Sequence, residues 1–314
     1  MPWLVGIDEA GYGPNLGPLV MTAVACQVPA ARLAADWWHI LQNAVRSQQR
    51  SDARMVIADS KQVYNPQRGL ANLECSVLAL LEAGPTTFAD LLKTLSPDAR
   101  QADEIWYRGT TRLPVACPVE VVARAASDFH SACERNELRW VTIRSVLIGA
   151  EEFNFLVDET GTKSAVLGHA LIRLLKHFAN DQTTSEALTF FVDKHGGRNY
   201  YAALLQEAIS DGVIMVREES SKRSTYQLVG GQREWTIHFQ PRADADHFCV
   251  ALASMVSKYV REIWMNEFNG FWRRHIPRLK ATAGYPVDAR RFFAEIEPLC
   301  EKLGITKNRI WRKR

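Results

Sequence analysis

The stretch Trp3-Leu4-Val5-Gly6-Ile7-Asp8-Glu9-Ala10-Gly11-Tyr12-Gly13-Pro14-Asn15-Leu16-Gly17-Pro18 decides how this chain is read. Trp3 to Ile7 is an apolar run of strand length that stops at two acids. A Gly- and Pro-rich turn follows, and Leu19 to Val28 is a second apolar run. Two such runs about a turn predict an antiparallel pair. Further along, Trp140 to Ile148 reads as a strand, and Ala187 to Val192 reads as the central one, ending at Asp193. Three short strand-like runs lie near 213–217, 225–229 and 235–239, with Gly230-Gly231 as a hairpin turn. Helical patterns cover residues 30–50, about 66–83, 119–135, 162–178, 200–209, 246–268 and 287–303. No internal repeat is present. Strands mixed with helices predict an α/β fold with a mixed sheet.

The 314 residues suffice for a large core without disulfides or structural metals. With 47% hydrophobic and 23% charged residues, disorder, collagen-like repeats and coiled coil are excluded as the main architecture. The six cysteines form no CxxC or CxH pair, so they predict buried reduced thiols rather than a zinc site. The first residues lack a basic n-region and a long apolar stretch, and no segment has the roughly 18 apolar residues of a membrane span. A cytoplasmic protein is expected. The net charge of +3 hides an asymmetry: residues 271–314 carry 12 Lys/Arg against 4 Asp/Glu, or +8, which leaves −5 on residues 1–270. A basic end on an acidic body suggests a polyanionic partner, and a solvated tail is the plainer alternative.

Asp8-Glu9 and Asp193 end strand-like runs, and Asp244 sits where a long helix begins. Singly, these are strand ends meeting solvent, or a helix N-cap in the case of Asp244 or Asp246. Together they describe acids able to converge on one edge of a sheet. Such a cluster repels itself and is relieved by hard divalent cations with oxygen ligands. Two ions are the usual device for in-line attack on a phosphodiester. Adjacent strand residues point to opposite faces, so Asp8 and Glu9 share a site only where the strand ends or twists.

Val5-Gly6-Ile7-Asp8-Glu9-Ala10-Gly11, with Gly13-Pro14 and Gly17-Pro18, resembles the opening signature of the type 2 ribonucleases H. Four more stretches agree in order: Asp59-Ser60-Lys61 with Arg68; Phe190-Phe191-Val192-Asp193; Ala243-Asp244-Ala245 with Ala251, Ala253-Ser254, Lys258 and Arg261-Glu262; and Gly284-Tyr285-Pro286 with Asp288. The resemblance implies a ribonuclease H-like fold with a five-stranded mixed central sheet flanked by helices, a helical C-terminal part and insertions. It implies hydrolysis of the RNA strand of RNA/DNA hybrids with two Mg²⁺ or Mn²⁺ ions, held by Asp8, Glu9, Asp193 and Asp244. The implied substrate contacts are the Gly11-Tyr12-Gly13 turn, Lys61, Lys258 and Tyr285, the last stacking at an RNA–DNA junction. Nucleic acid is thus the expected partner, with no membrane and a monomer favoured. The alternatives are a related nuclease acting on DNA or structured RNA, and a non-catalytic nucleic-acid-binding protein.

The sequence also departs from that pattern. The family's turn is normally Gly-Arg-Gly or Gly-Lys-Gly, and Tyr12 cannot hold a phosphate by charge. Recognition of a single embedded ribonucleotide is therefore not implied. Insertions are expected at about 84–136 and 219–239 within a core of residues 1–268, followed by a basic extension over 269–314. Lys194, His195 and Arg198 follow Asp193 closely: the histidine as a proton shuttle and the cations as phosphate ligands is one reading, a turn with exposed charges the other. Trp106-Tyr107 reads as a small satellite core before a base-stacking surface. Lys307, Arg309, Arg312, Lys313 and Arg314 with Trp311 read as a grip on a duplex backbone.

Overall fold

A computed structural model describes residues 1–48, 54–65, 67–82, 84–97, 104–180 and 186–313. The chain begins with β1 (Trp3–Ala10) and β2 (Leu19–Gln27), then a short helix α1 (Trp37–Ile40), the two-residue strands β3 (Val45–Arg46) and β4 (Met55–Val56), and α2 (Ser60–Val63). Next come α3 (Ala71–Leu80), α4 (Phe88–Leu95), α5 (Val119–Arg135), β5 (Arg139–Ile148), α6 (Ala150–Thr160) and α7 (Lys163–Asn180). Then follow β6 (Leu188–Asp193), α8 (Ala202–Ala208), β7 (Val213–Glu219), β8 (Ser224–Val229) and β9 (Trp235–Gln240). The chain ends with α9 (Ala243–Asp246), α10 (Phe248–His275) and α11 (Pro286–Leu303).

Seven strands form one sheet in the order β5-β2-β1-β6-β9-β8-β7. β1 pairs antiparallel with β2, as expected, and parallel with β6, which pairs parallel with β9. The five strands β5, β2, β1, β6 and β9 are the expected mixed sheet. β8 and β7 extend it antiparallel from β9. The added strands are thus 213–229, whereas Trp235–Gln240, inside the expected insertion near 219–239, is itself a central strand beside β6.

Alternation along β1 creates two cores. Trp3, Val5 and Ile7 face a cluster with Val166, Leu171 and Phe178 of α7, while Leu4 joins a larger cluster with α3, α5, α10 and α11. Gly6 points at α10, where a Cβ would overlap the backbone of Cys249 and Val250. Helix and strand therefore meet at backbone distance, which only glycine permits. That contact sets the start of α10 against the carboxyl end of β1.

Residues 30–50 depart from the expected helix. A 3₁₀ turn at Ala30–Arg32, the one-turn α1 and β3 take its place, and residues 49 and 50 lie outside the described set. Trp37, Leu41, Ala44 and Val45 have helical spacing and are all buried, but Val45 and Arg46 pair with Met55 and Val56. Tertiary pairing overrides local periodicity here. The expected helix over 66–83 shortens to α3, with residues 66 and 83 also outside the description.

The expected insertion at 84–136, of which residues 98–103 lie outside the description, is fastened by two carboxylates. Glu74 accepts from the backbone N–H groups of Val115, Ala116 and Cys117 and from Tyr259 Oη. Glu267 accepts from the N–H groups of Arg108, Gly109 and Thr111 and from Thr111 Oγ1. A carboxylate offers several acceptor positions, so each satisfies a whole run of otherwise orphaned donors. Trp106 packs edge-on to Trp264 and Phe268 of α10, in the main core rather than in a satellite. α10 runs unbroken through residue 268, and Phe292 and Ile296 of α11 share its core. All six cysteines are free thiols. Among the described residues no helix is long and apolar enough to cross a membrane.

Candidate active site

The β1–β6 ladder ends at the pair Ile7–Val192. The next residue on each strand is an acid, Asp8 and Asp193, so two carboxylates flank the point where the sheet opens. Asp193 Oδ1 accepts from the Ala243 N–H at 2.9 Å and thereby caps the one-turn α9 that carries Asp244. Arg242, in the left-handed region at φ 58°, makes the tight entry into that helix. The strand end and the helix start are thus tied by one hydrogen bond.

Asp8 lies on the α10 side of β1. Its carbonyl accepts from Ser257 Oγ at 3.1 Å, and Ser254 donates toward its carboxylate. Its own Oδ1 accepts from the Glu9 N–H at 2.8 Å. The acids sense one another strongly. Asp8 is pushed well above the usual carboxylate range by burial, then by Glu9 and Asp193. Glu9 is raised to about 7 by burial and then Asp193, and Asp244 to about 6 by burial, then Asp59 and Asp193. Burial raises Asp193 as well. Removing a carboxylate from water and setting others beside it both disfavour its charged form. One oxygen of the set, Glu9 Oε2, is buried with no hydrogen-bond partner among the described residues.

Asp59-Ser60-Lys61 is docked by a 3.0 Å contact between Ser60 Oγ and Ser254 Oγ of α10. Asp59 caps α2 by accepting from the Lys61 N–H at 2.9 Å. Lys61 is exposed, and its charge draws Glu9, Asp193 and Asp244 back toward ionisation. Asp59, read in sequence only as part of the Asp-Ser-Lys stretch, acts on Asp244 and is a fifth acid of this cluster. Its position just before the serine was the available signal.

The glycine turn lies alongside. Gly11 has φ 91°, a backbone state that a side chain there would strain, and a Cβ would also strike Pro18 O and Arg261. Tyr285 is 53% exposed, so it is not a core tyrosine, and its ring edge lies 3.9 Å from where a Gly13 Cβ would be. The Asn15 N–H donates to Gly284 O at 2.8 Å, clasping the two turns together.

Three of the expected substrate contacts, His195, Lys194 and Lys258, are buried or paired within the fold. His195 is 3% exposed and packs on Tyr201 and Phe239, and burial holds its pKa down to about 3. It is a neutral core residue and cannot shuttle protons to solvent. Lys194 is buried, with Nζ donating to Asn199 Oδ1 and Ser220 O. Lys258 is committed to Glu262 at 2.6 Å and to the Tyr64 ring. Arg198 is half-buried and makes no hydrogen bond or ion pair from its guanidinium among the described residues.

Of the residues expected to grip a duplex, Lys307, Arg309, Arg312 and Lys313 are engaged within the fold. Arg312 is fully buried and donates to Gly11 O and Pro14 O, while Asn15 Nδ2 donates to Arg312 O at 3.0 Å. Burial, and then Arg261, hold its pKa down to about 9. Lys313 pairs with Asp158, Lys307 lies over Phe293 and Trp311, and Arg309 pairs with Glu151. Arg314 lies outside the described residues. The carbonyls of a tight turn need donors, and the C-terminal segment brings one beneath the turn.

Among the described residues no three His, Cys, Asp or Glu side chains are gathered closely enough to hold a metal ion as they stand. The donor set is nonetheless all oxygen, with one orphaned oxygen and mutually raised pKa values, which suits a hard divalent cation.

No family model matches the sequence, and no curated protein matches it. Among solved structures, the chain is similar to ribonuclease H2 from Pyrococcus horikoshii OT3, at 14% identity and a TM-score of 0.50, covering 98% of this chain and 92% of that one. It also matches RNase HII from Archaeoglobus fulgidus, solved in complex with PCNA, at 15% identity and a TM-score of 0.46, covering 99% and 94%. A third match is Bst-RNase HIII in complex with Mn²⁺, at 16% identity and a TM-score of 0.46, covering 99% and 66%. With the sheet order and the position of the acids already described, the first of these likenesses settles the architecture: this chain has a ribonuclease H-like fold.

Proposed function

We propose that the protein is a divalent-metal-dependent endonuclease that hydrolyses the RNA strand of RNA/DNA hybrids. The observation that carries the reading is the set Asp8, Glu9, Asp193 and Asp244, each held above its usual pKa, where β1, β6 and α9 meet. A buried group of like charges is costly to the fold and is kept where function needs it. The four carboxylates would hold Mg²⁺ or Mn²⁺, which supplies charge neutralisation and an activated water for in-line attack on a phosphodiester.

The chain's own residues do the rest. The Asp193–Ala243 bond holds the third and fourth acids in register. Lys61 stands among the acids as an exposed cation, suited to an approaching phosphate. Gly13 leaves backbone room for a ribose, and Tyr285 offers an exposed ring across the turn. Stacking on such a ring contributes roughly 1–3 kcal/mol per base.

The test is incubation with Mg²⁺ or Mn²⁺ and labelled duplexes containing no ribonucleotide, a single one, or a complete RNA strand. Cuts confined to RNA support the reading, and Asp8→Asn should abolish them while leaving the circular dichroism spectrum unchanged. Cutting of all-DNA duplex points instead to a nuclease of another substrate class. Tight binding without cleavage points to a non-catalytic binder.

A further inference from the structure

A cavity of about 420 Å³ lies where the segment leading into α1 meets β6, the end of α9 and the start of α10. That volume is in the range that takes up a small ligand. Its walls are aromatic, with Trp38, Phe191, His247 and Phe248 among them. These rings are fixed before any ligand arrives. Trp38 Nε1 donates to Ile57 O at 2.7 Å, and its ring packs edge-on to Phe248 with centroids 5.3 Å apart. Phe191 stacks on His247 with centroids 3.7 Å apart. Two carboxylates share the lining, Asp36 just before α1 and Asp246 at the end of α9. Both are exposed, and each spends one oxygen within the fold. Asp36 Oδ1 accepts from the His39 N–H at 3.1 Å, and Asp246 Oδ2 accepts from Gln240 Nε2 at 3.0 Å. Neither acid forms an ion pair among the described residues, and no lysine or arginine among them lines the cavity. His247 brings no charge at neutral pH, because burial holds its pKa down to about 4.

We propose that this cavity binds a free small organic cation, an ammonium or guanidinium on an apolar stem, with its charge at Asp36 and Asp246 and its stem against the aromatic walls. The lining decides among ligand classes. A neutral aromatic molecule would cover the rings and leave both carboxylates uncompensated as water is expelled. A hard divalent cation takes about six oxygen ligands, of which this lining supplies few, and gains nothing from rings. An organic cation meets both demands. The free carboxylate oxygens accept its N–H groups, and the aromatic rings attract its charge and cover its stem. Because the rings are already held in place, little side-chain freedom is lost on binding. The site is separate from the candidate active site: α9 carries both Asp244 and Asp246, and only Asp246 lines the cavity. The inference therefore stands whether or not the acid cluster hydrolyses nucleic acid.

The experiment titrates the full chain in EDTA with butylguanidinium, butylammonium, the neutral isostere N-butylurea, and an arginine within a blocked peptide, followed by saturation-transfer difference NMR. Both free cations should bind, and N-butylurea should bind more weakly. Asp36→Asn and Asp246→Asn should each weaken the cations by about threefold to fivefold, the scale of one partly exposed charge pair. Asparagine keeps the shape of each side chain and still caps α1 at position 36, so the circular dichroism spectrum should not change. Asp128→Asn, which removes an exposed acid of α5, should bind as the parent does. Equal binding of N-butylurea, parent affinity in both Asn variants, or no binding by any probe would overturn the proposal. Equal weakening in Asp128→Asn would overturn it as well, since net charge would then explain the loss. Loss of binding in Asp8→Asn would place the cation in the acid cluster and also overturn it. Preference for the peptide over butylguanidinium would make the occupant a protein side chain and overturn the free-molecule assignment.

Discussion

Glu9→Gln is expected to stabilise the metal-free protein at pH 8 and to leave its stability unchanged at pH 4. Burial and Asp193 raise the Glu9 pKa in the folded chain from an ordinary 4.5 to about 7. Between those values the native state keeps a proton that the unfolded chain has released. Stability is therefore greatest below about pH 4.5, falls as the pH rises toward 7, and is flat above. At about 1.4 kcal/mol per unit, the full swing is on the order of 3 kcal/mol. Glutamine keeps the shape and cannot ionise, so it escapes that loss. Relief of Asp8, which Glu9 also pushes up, adds in the same direction. The measurement is urea denaturation in EDTA at pH 4 and pH 8, followed by tryptophan fluorescence. Added Mg²⁺ at pH 8 should raise the midpoint of the wild-type protein more than that of Glu9→Gln, because a cation offsets the same repulsion. A variant less stable than wild type at pH 8, or equally more stable at both pH values, would refute the claim that mutual repulsion governs this cluster.

Gly6→Ala should leave little soluble folded protein, since its Cβ would collide with α10 backbone that cannot retreat without moving the whole helix. The cost is at least about 3 kcal/mol, and near-normal yield and melting temperature would contradict it. Glu74→Ala should cost about 3 kcal/mol or more by urea denaturation, because three backbone donors and Tyr259 Oη lose their acceptor together. Hydrogen exchange confined to residues 115–117 should speed up in parallel, and unchanged protection there would argue against the clamp. Arg312→Ala should destabilise by about 2 kcal/mol and lower hybrid cleavage, by freeing the carbonyls of Gly11 and Pro14. Full stability with full cleavage would show that the turn holds itself.

The sequence made the architecture legible wherever local chemistry and tertiary demand agreed. β1, β2, β5, β6 and β9 fall within a few residues of the runs that predict them, because their apolar patterns are also their buried faces. Residues 30–50 depart from the expected helix because Trp37, Leu41, Ala44 and Val45 carry a helical spacing that serves burial without a helix. Over 213–239 the sequence predicts the strands but not their partition between the central sheet and its extension. Periodicity shows that a strand exists, not which neighbour it pairs with or in which direction.

The sequence by itself determined the strand-ending acids, the glycine turn and the oxygen-rich donor set, since those are properties of residue type and spacing. Only the tertiary structure decided which charges are available. His195, Lys194, Lys258 and Arg312 looked alike as polar candidates in the chain, yet burial and partners remove each of them from solvent chemistry. Whether a charge is free is settled by its distance to other charges and to water, and neither distance is written in a linear order of residues.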